Sequence, residues 1–186
     1  MITCACDPDT NRPAFCIYQD KTPTEWFSLQ SNGKHWLHNV QEIIDRFSPH
    51  ILIIENQYLP KTPDAGRRFR SVANLVSARS VIQCVFALSG IPDQLIEPFA
   101  WQQTLGGSGL ARHNLKQLSM LKASDLVNQS ITDHNIADAI NIGFWWVTNN
   151  IATVSERWES LRESYTPGNR TRTPRSRHEA VHRKAR

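Results

Sequence analysis

Three acidic residues that are far apart in the chain have the types and positions needed for metal chemistry: Asp7, Glu55 and Asp138. Asp7 and Glu55 each end a strand-like apolar run, and Asp138 falls in a predicted helix. A carboxylate at the end of a buried strand is costly unless it is hydrated, hydrogen-bonded or bound to a cation. Three of them predict a hard, oxygen-rich site for Mg²⁺ or Mn²⁺, which is the chemistry of phosphodiester hydrolysis.

The elements that must position these acids follow an α/β order. The expected strands cover residues 1–7, 14–19, 25–29, 51–54 and 95–101. The expected helices cover residues 36–47, 69–88, 114–127 and 133–149, with a further helical stretch over 154–161. In the third of these helices we expect four leucines to point inward: Leu115, Leu118, Leu121 and Leu126. This order predicts a mixed five-stranded sheet with helices on both faces.

Composition sets the class of protein. The chain has 186 residues and is 40% hydrophobic, so we expect one domain over residues 1–165 and a basic tail over 166–186 that is disordered. An unbroken apolar run of about eighteen residues is absent, so no membrane span or membrane partner is expected, and the N-terminus lacks the features of a signal peptide. The cysteines fit no zinc pattern, and Cys4 and Cys6 share one strand face, which favours buried free thiols and a cytoplasmic location.

The positive charge is concentrated at one end of the chain. Residues 168–186 hold seven Lys and Arg and one Glu, a net charge of +6, which leaves −2 for the rest because the total is +4. Such a tail attracts phosphate backbones without reading their sequence. The alternative interpretation is a solvated terminus with no specific role.

Five short segments follow one another in a specific order: Asp7-Pro8, residues 53–57, 76–92, 106–109 and 137–139. Taken together, they resemble the RuvC family of Holliday-junction resolvases. Asp7 and Pro8 resemble the strand-ending Asp-Pro-Gly of the family, with Asp9 in place of the glycine. Residues 53–57 are similar to its Ile-Glu-Gln segment, and residues 76–92 resemble the helix that carries Ala-Arg-Gly. Residues 106–109 with Arg112 and Lys116 resemble the glycine-bearing loop and basic helix start that meet DNA, and residues 137–139 resemble the final Ala-Asp-Ala.

The resemblance covers about residues 1–150 and implies a ribonuclease H-like fold. It implies a homodimeric crossover junction endodeoxyribonuclease of DNA recombination and repair that nicks four-way DNA junctions with two Mg²⁺ or Mn²⁺ ions per site. Asp7 would bridge the ions, Glu55 would hold one of them, and Asp138 with His134 would hold the other. For the fourth ligand, Asp133 is an alternative to His134, although it could instead cap the helix, and Asn135 is a poorer donor.

Other interpretations remain open at this point. Arg67, Arg68 and Arg70 are either a phosphate-binding stripe near Glu55 or solvated surface, and the helix from Arg67 to Leu88 is the expected dimer contact. Trp101 is expected to pack in the core. The same acids also suit a related nuclease acting on other branched DNA or on RNA. A non-catalytic nucleic-acid-binding module with this fold is a further alternative, which Asp9 and Asn135 favour.

Overall fold

The computed structural model describes residues 1–30, 36–56, 65–106 and 110–164; for residues 36, 65–68 and 151–164 it describes the backbone alone. The strands are β1 (Ile2–Asp7), β2 (Ala14–Gln19), β3 (Thr22–Ser28), β4 (Ile51–Glu55) and β5 (Asp93–Ile96). The helices are α1 (Trp36–Phe47), α2 (Ala65–Leu88), α3 (Pro98–Gln102), α4 (Arg112–Val127) and α5 (His134–Ser164), with a 3₁₀ turn at Gln103–Leu105. Residues 1–151 form one compact unit, which contains all five strands.

The strands form one mixed sheet in the order β3-β2-β1-β4-β5. The pairs β1–β2 and β2–β3 are antiparallel, whereas β1–β4 and β4–β5 are parallel. The central strands are buried on both faces, as the unbroken apolar run Ile51 to Ile54 predicts for β4. The predicted mixed five-stranded sheet is therefore confirmed.

Helices cover both faces of this sheet. Cys4 and Cys6 of β1 lie on one face, in a core cluster with residues of α1 and α2 that include Val40 and Phe86. On the opposite face α5 packs so closely that a Cβ on Gly143 would lie against the Tyr18 ring. The two faces differ because successive side chains of a strand point to opposite sides. All four cysteines are free, and Cys4, Cys6 and Cys16 are buried, as expected for the first two.

The segment after β5 differs from the prediction. We expected one strand over residues 95–101, but β5 ends at Ile96 and a short helix begins at Pro98. Proline suits the first position of a helix because its fixed φ is already helical and its missing N–H is not needed there. This short helix carries Trp101 into the interior.

The prediction of an inward Leu121 in α4 is also wrong, because its side chain is 63% exposed. Steps of three residues turn 300° around a helix, so a leucine six residues after Leu115 lies about 120° away from it. The residues of α4 that are buried are instead Ser119 and Ala123, four residues apart. Leu115, Leu118 and Leu126 are half-buried.

The helix α2 is apolar but mostly open to solvent. Among the described residues it is the one helix whose stretch Phe69–Leu88 has the length and average apolarity to cross a membrane, and only 17% of that window is buried. The stretch is not an unbroken apolar run, since Arg70, Asn74, Arg79 and Gln83 interrupt it. Phe69 and Leu88 are 58% and 85% exposed. The helix thus leaves two large apolar side chains, one near each of its ends, uncovered by the rest of the described chain.

Candidate metal-dependent active site

Two parallel strands bring Asp7 and Glu55 together. Cys6 of β1 is paired with Ile54 of β4, so the next residue on each strand, Asp7 or Glu55, lies at the same carboxyl edge of the sheet. Both side chains are buried, with 8% and 7% exposure. In their ionised forms the carboxyl groups of Asp7 and Glu55 repel each other. The sheet register therefore creates a close pair of carboxyl groups at the place where the sequence predicts one.

The helix α5 supplies the third acid. Asp138 lies on its second turn and lines, with Asp7 and Glu55, a cavity of about 400 Å³. His134 and Asn135 from the first turn of α5 line the same cavity, as do Arg112 and Lys116 from the start of α4. The structure thus gathers the predicted acids, the favoured fourth ligand and two of the predicted DNA-binding cations around one opening.

Two of the three carboxylates, those of Glu55 and Asp138, accept a hydrogen bond from a buried side chain. The indole Nε1 of Trp101 donates to Glu55 Oε1 at 3.1 Å, and Trp101 is only 2% exposed. The hydroxyl of Ser119, which is 1% exposed, donates to Asp138 Oδ1. Trp101 packs in the interior, as expected, but the sequence does not predict its bond to Glu55.

Among the described residues, no group of three or more His, Cys, Asp or Glu is already arranged as a metal-binding cluster.

The electrostatics of the cavity fit a cation. Burial raises the pKa of Asp7 well above its ordinary value, and repulsion from Glu55 and Asp138 raises it further. Burial also raises the pKa of Asp138 to about 6, against the lowering effects of the Ser119 hydroxyl, Lys116 and Arg112. Protons relieve the crowding of negative charge in this arrangement, and divalent cations with oxygen-rich coordination would relieve it more strongly. The donor set therefore fits Mg²⁺ or Mn²⁺.

His134 has the protonation state that a ligand needs. Burial lowers the pKa of its imidazole below 6.5, and the positive charges of Lys116 and Arg112 lower it further, although Asp133 opposes them. The ring is therefore mostly neutral at pH 7, which is the form that binds metals. Its role as the fourth ligand stays a prediction.

Asp133 is engaged elsewhere. Its Oδ1 accepts the backbone N–H of Asn135 at 2.9 Å, which is the bond of a helix N-cap, and its Oδ2 binds Arg12 at 2.8 Å. Asp133 does not line the cavity that holds the three acids. Its observed contacts favour the capping interpretation over the metal one. Asn135 does line that cavity, and its amide donates to the Arg12 carbonyl at 3.3 Å.

Only some of the other residues that were predicted to contact DNA lie in the described part of the chain. Arg70 is exposed near the start of α2, whereas the side chains of Arg67 and Arg68 lie outside the described residues. Of the glycine-bearing loop, Gly106 is described, with a left-handed φ of 68°, and residues 107–109 are outside the described part. The tail over residues 166–186 is outside it as well. Asp9, which replaces the family glycine, accepts the backbone N–H groups of Asn11 and Arg12 at 2.8 Å.

The raised pKa of Asp138 predicts that the metal-free protein loses stability as pH rises. The folded state holds the proton up to about pH 6 and the unfolded state only to about 3.8. Between these values the folded state binds more protons, so the free energy of unfolding falls with pH and then levels off. We expect this one group to remove roughly 3 kcal/mol between pH 3.5 and pH 7.

Urea denaturation in EDTA across this pH range measures the effect. Asp138→Asn should remove this part of the pH dependence, because the amide does not titrate. Asp125→Asn, which changes an exposed residue of α4, is the matched control and should leave it intact. An Asp138→Asn curve parallel to that of the parent would contradict the prediction.

Comparison with known proteins points to one family. The chain is 30% identical over 98 residues to the crossover junction endodeoxyribonuclease RuvC of Hydrogenovibrio crunogenus, an alignment that covers 51% of this chain and 54% of the relative. The match thus spans about half the length of that curated relative. No protein-family model matches the chain.

Solved structures extend the similarity to most of the chain. The RuvC structure from Thermus thermophilus in complex with a Holliday junction substrate matches with a TM-score of 0.61 and 12% identity, over 81% of this chain and 97% of that one. The fowlpox virus resolvase in complex with substrate Holliday junction DNA matches with a TM-score of 0.54 and 20% identity, over 81% and 99%. The described part of the chain therefore has the fold of these resolvases, and its sequence is similar to that of a RuvC protein over about half of its length.

Proposed function

We propose that this protein is a metal-dependent, structure-selective endonuclease that cleaves four-way DNA junctions. The observation that carries the proposal is the placement of Asp7, Glu55 and Asp138 around one cavity, beside the cations Arg112 and Lys116. The choice of a four-way junction as substrate is supported by the names of similar proteins. One relative is a crossover junction endodeoxyribonuclease, and two of the solved structures contain Holliday junction DNA. The proposed activity belongs to DNA recombination and repair.

RuvC-family nucleases are metal-dependent in general. In this chain Asp7 and Glu55 would hold one Mg²⁺ or Mn²⁺ ion, and Asp7, Asp138 and His134 a second. Two such ions, when bound, supply activation of the attacking water and stabilisation of the leaving 3′ oxygen. The negative charge of the acids is what a cation would need, because two buried carboxylates beside a half-buried third are favourable in their ionised form only with cations between them.

The basic residues at the start of α4 would bind the DNA backbone. Arg112 and Lys116 are one helical turn apart and line the cavity together with the acids. A phosphate that contacts both would lie at the cavity opening, next to the ion site. Such contacts fix the position of the DNA but carry no sequence information, so junction selectivity would come from the shape of the DNA.

A substrate panel tests the proposed function. The full chain is incubated with Mg²⁺ and labelled four-way junctions, three-way junctions, linear duplex, single strands and an RNA–DNA hybrid. Symmetric nicks in the four-way junction, with the other substrates cut far more slowly, are the expected result. Preferential cleavage of another branched DNA or of RNA would instead support the related-nuclease alternative.

The second alternative is a binding module without catalysis. Two features favour it. Asn135, which lines the cavity, is uncharged, and Asp9 stands where the resembled family has a glycine. A thermal-shift titration with Mg²⁺ and Mn²⁺ separates the two functions. We expect stabilisation by either ion, because cations relieve the carboxylate repulsion, and a protein that binds junctions without any such shift would be the module.

We propose that the exposed side of α2, which carries Phe69 and Leu88, joins two copies of the chain. A two-fold dimer presents two cavities to a junction that has approximate two-fold symmetry. We expect Leu88→Glu to shift the protein toward a monomer in gel filtration, because it places a charge on a side chain that is 85% exposed in one copy. The matched control is Leu121→Glu on α4, also an exposed leucine. A parent protein that elutes as a monomer at micromolar concentration contradicts the dimer.

The basic tail is proposed to add non-specific affinity for DNA. Replacing the seven Lys and Arg of residues 168–186 by Gln keeps the length and removes the charge. We expect the slope of log affinity against log salt to become less steep by about 0.9 for each phosphate that the tail no longer neutralises. Fluorescence anisotropy with a four-way junction in EDTA measures the slope. An unchanged slope would show that the tail does not contribute to DNA binding.

Two broader expectations are part of this proposal. Residues 1–165 would act as the nuclease domain and residues 166–186 as an appended tail. The buried thiols of Cys4, Cys6 and Cys16 are free, which supports a reducing compartment such as the cytoplasm.

A further inference from the structure

A buried polar network connects α4 to the acid on α5. Ser119 is 1% exposed and its hydroxyl donates to Asp138 Oδ1. Asn141, one turn after Asp138, is fully buried. Its Nδ2 donates to the carbonyl and the hydroxyl oxygen of Ser119 and to the carbonyl of Ala137, each at 2.9 Å. Three polar side chains from two helices therefore form one connected group.

This network sets the direction of the serine hydroxyl. A hydroxyl has one hydrogen to donate and two lone pairs that accept. The Nδ2 of Asn141 cannot accept a hydrogen bond, so toward it Ser119 Oγ acts only as an acceptor, and it shares the two Nδ2 hydrogens with the carbonyls of Ser119 and Ala137. The hydroxyl hydrogen is then directed to Asp138 Oδ1. Asn141 thus makes Ser119 a dedicated donor to the carboxylate.

The arrangement has a cost that packing alone does not explain. The Oδ1 atom of Asn141 is buried and has no hydrogen-bond partner in the described part of the chain. A buried acceptor left unpaired costs about 1–3 kcal/mol. Its neighbours Ile140 and Ile142 are fully buried apolar residues, so an apolar side chain would avoid this cost at position 141. In return the asparagine links α5 to α4 through the Ser119 carbonyl and holds Ser119 Oγ as an acceptor, which leaves the hydroxyl hydrogen for Asp138.

We infer that Ser119, oriented by Asn141, is a positioning residue that holds the Asp138 carboxylate in one rotation for cation binding. The terminal torsion of an aspartate is broad, so the carboxylate plane is not set by the helix alone. A hydrogen bond from Ser119 to Oδ1 fixes the plane of the Asp138 carboxylate. The other oxygen, Oδ2, takes no part in this bond. Residues that form hydrogen bonds to a metal ligand orient it in this way and change the affinity of the site for the metal. The inference rests on the proposed metal-dependent function.

Mn²⁺ affinity of the full chain tests the inference without relying on cleavage. We expect Ser119→Ala to weaken Mn²⁺ binding in isothermal titration calorimetry by about 10-fold or more. Four-way-junction binding in EDTA should stay at the parent level, because Arg112 and Lys116 are unchanged. The control Ser124→Ala removes a hydroxyl from the same helix that bonds Met120 and Ile131, so it reports general damage to α4. It should leave Mn²⁺ affinity unchanged.

A double-mutant cycle tests the contact separately. The loss of unfolding free energy caused by Ser119→Ala, measured in EDTA at pH 8, should be much smaller in an Asp138→Asn background, because the serine acts through the ionised carboxylate. Equal losses in both backgrounds, or Mn²⁺ affinity in Ser119→Ala equal to that of the parent, would overturn the inference while leaving the proposed function intact. A parent protein that binds no Mn²⁺ overturns both, and the cycle then shows only whether the bond is structural.

Discussion

Replacing Asp7 by asparagine should slow cleavage of a four-way junction by about a thousandfold or more, an effect that corresponds to about 4 kcal/mol of transition-state stabilisation. Asp7 lines the cavity together with Glu55 and Asp138, and the charges of both raise the pKa of its carboxyl group. An amide keeps the shape of the side chain but cannot supply the negative charge that a divalent cation needs. Single-turnover cleavage with saturating enzyme and Mg²⁺ is the appropriate measurement.

Junction binding should survive this change. Arg112 and Lys116 are untouched, and removing a negative charge from the cavity favours the approach of phosphates. The variant should also fold at least as well as the parent in EDTA, since burial and repulsion make the Asp7 charge unfavourable in the metal-free state. The control is Asp125→Asn, on the exposed surface of α4. If Asp7→Asn cleaved the junction as fast as the parent, the proposed mechanism would be wrong.

Gly143→Ala should destabilise the protein by about 3 kcal/mol, even though alanine is the better helix former. An added Cβ would lie 2.7 Å from Cδ2 of the Tyr18 ring, closer still to its Cε2, and 3.0 Å from the Cβ of Ala5. The ring cannot move aside easily, because Tyr18 is fully buried and its hydroxyl donates to the Ile140 carbonyl at 2.7 Å. The helix α5 must therefore shift away from the sheet.

A shift of α5 should reach the active site, because the same helix carries Asp138. We expect lower Mn²⁺ affinity in Gly143→Ala in addition to a lower midpoint of urea denaturation. The cost should be largely absent in a Tyr18→Val background, which lacks both clashing ring atoms, and should persist with Tyr18→Phe, which keeps them. Equal costs of Gly143→Ala in the Val and Phe backgrounds would show that the clash with the ring is not the cause.

The elements that carry Asp7 and Glu55 could be predicted from local patterns. Both acids end apolar runs, and such runs form buried strands whose ends reach the sheet edge. The helix over residues 36–47 was predicted with its observed bounds, because its apolar residues recur at helical spacing. The segment over 95–101 was not, because the choice between strand and helix after Pro98 depends on what Trp101 packs against.

The donors behind the acids could not be predicted in this way. Ser119 lies among leucines and Asn141 between two isoleucines, so the only available signal was a polar residue at a position where the pattern predicts an apolar one. That signal does not say which carboxylate the residue reaches. Asp133 illustrates the same difficulty, since its type fits both a metal ligand and an N-cap, and its bonds to Asn135 and Arg12 favour the cap.

The amino-acid sequence by itself determined which residues are able to bind cations and which strands and helices carry them, because hydrophobic periodicity and chain-breaking residues act over a few neighbours. Only the tertiary structure decided that Trp101 holds Glu55, that Ser119 holds Asp138 and that α5 packs against Tyr18 at Gly143. The physical reason is that a hydrogen bond or a steric contact depends on tenths of an ångström. Separations of that size between residues distant in sequence are set by the packing of all the elements together.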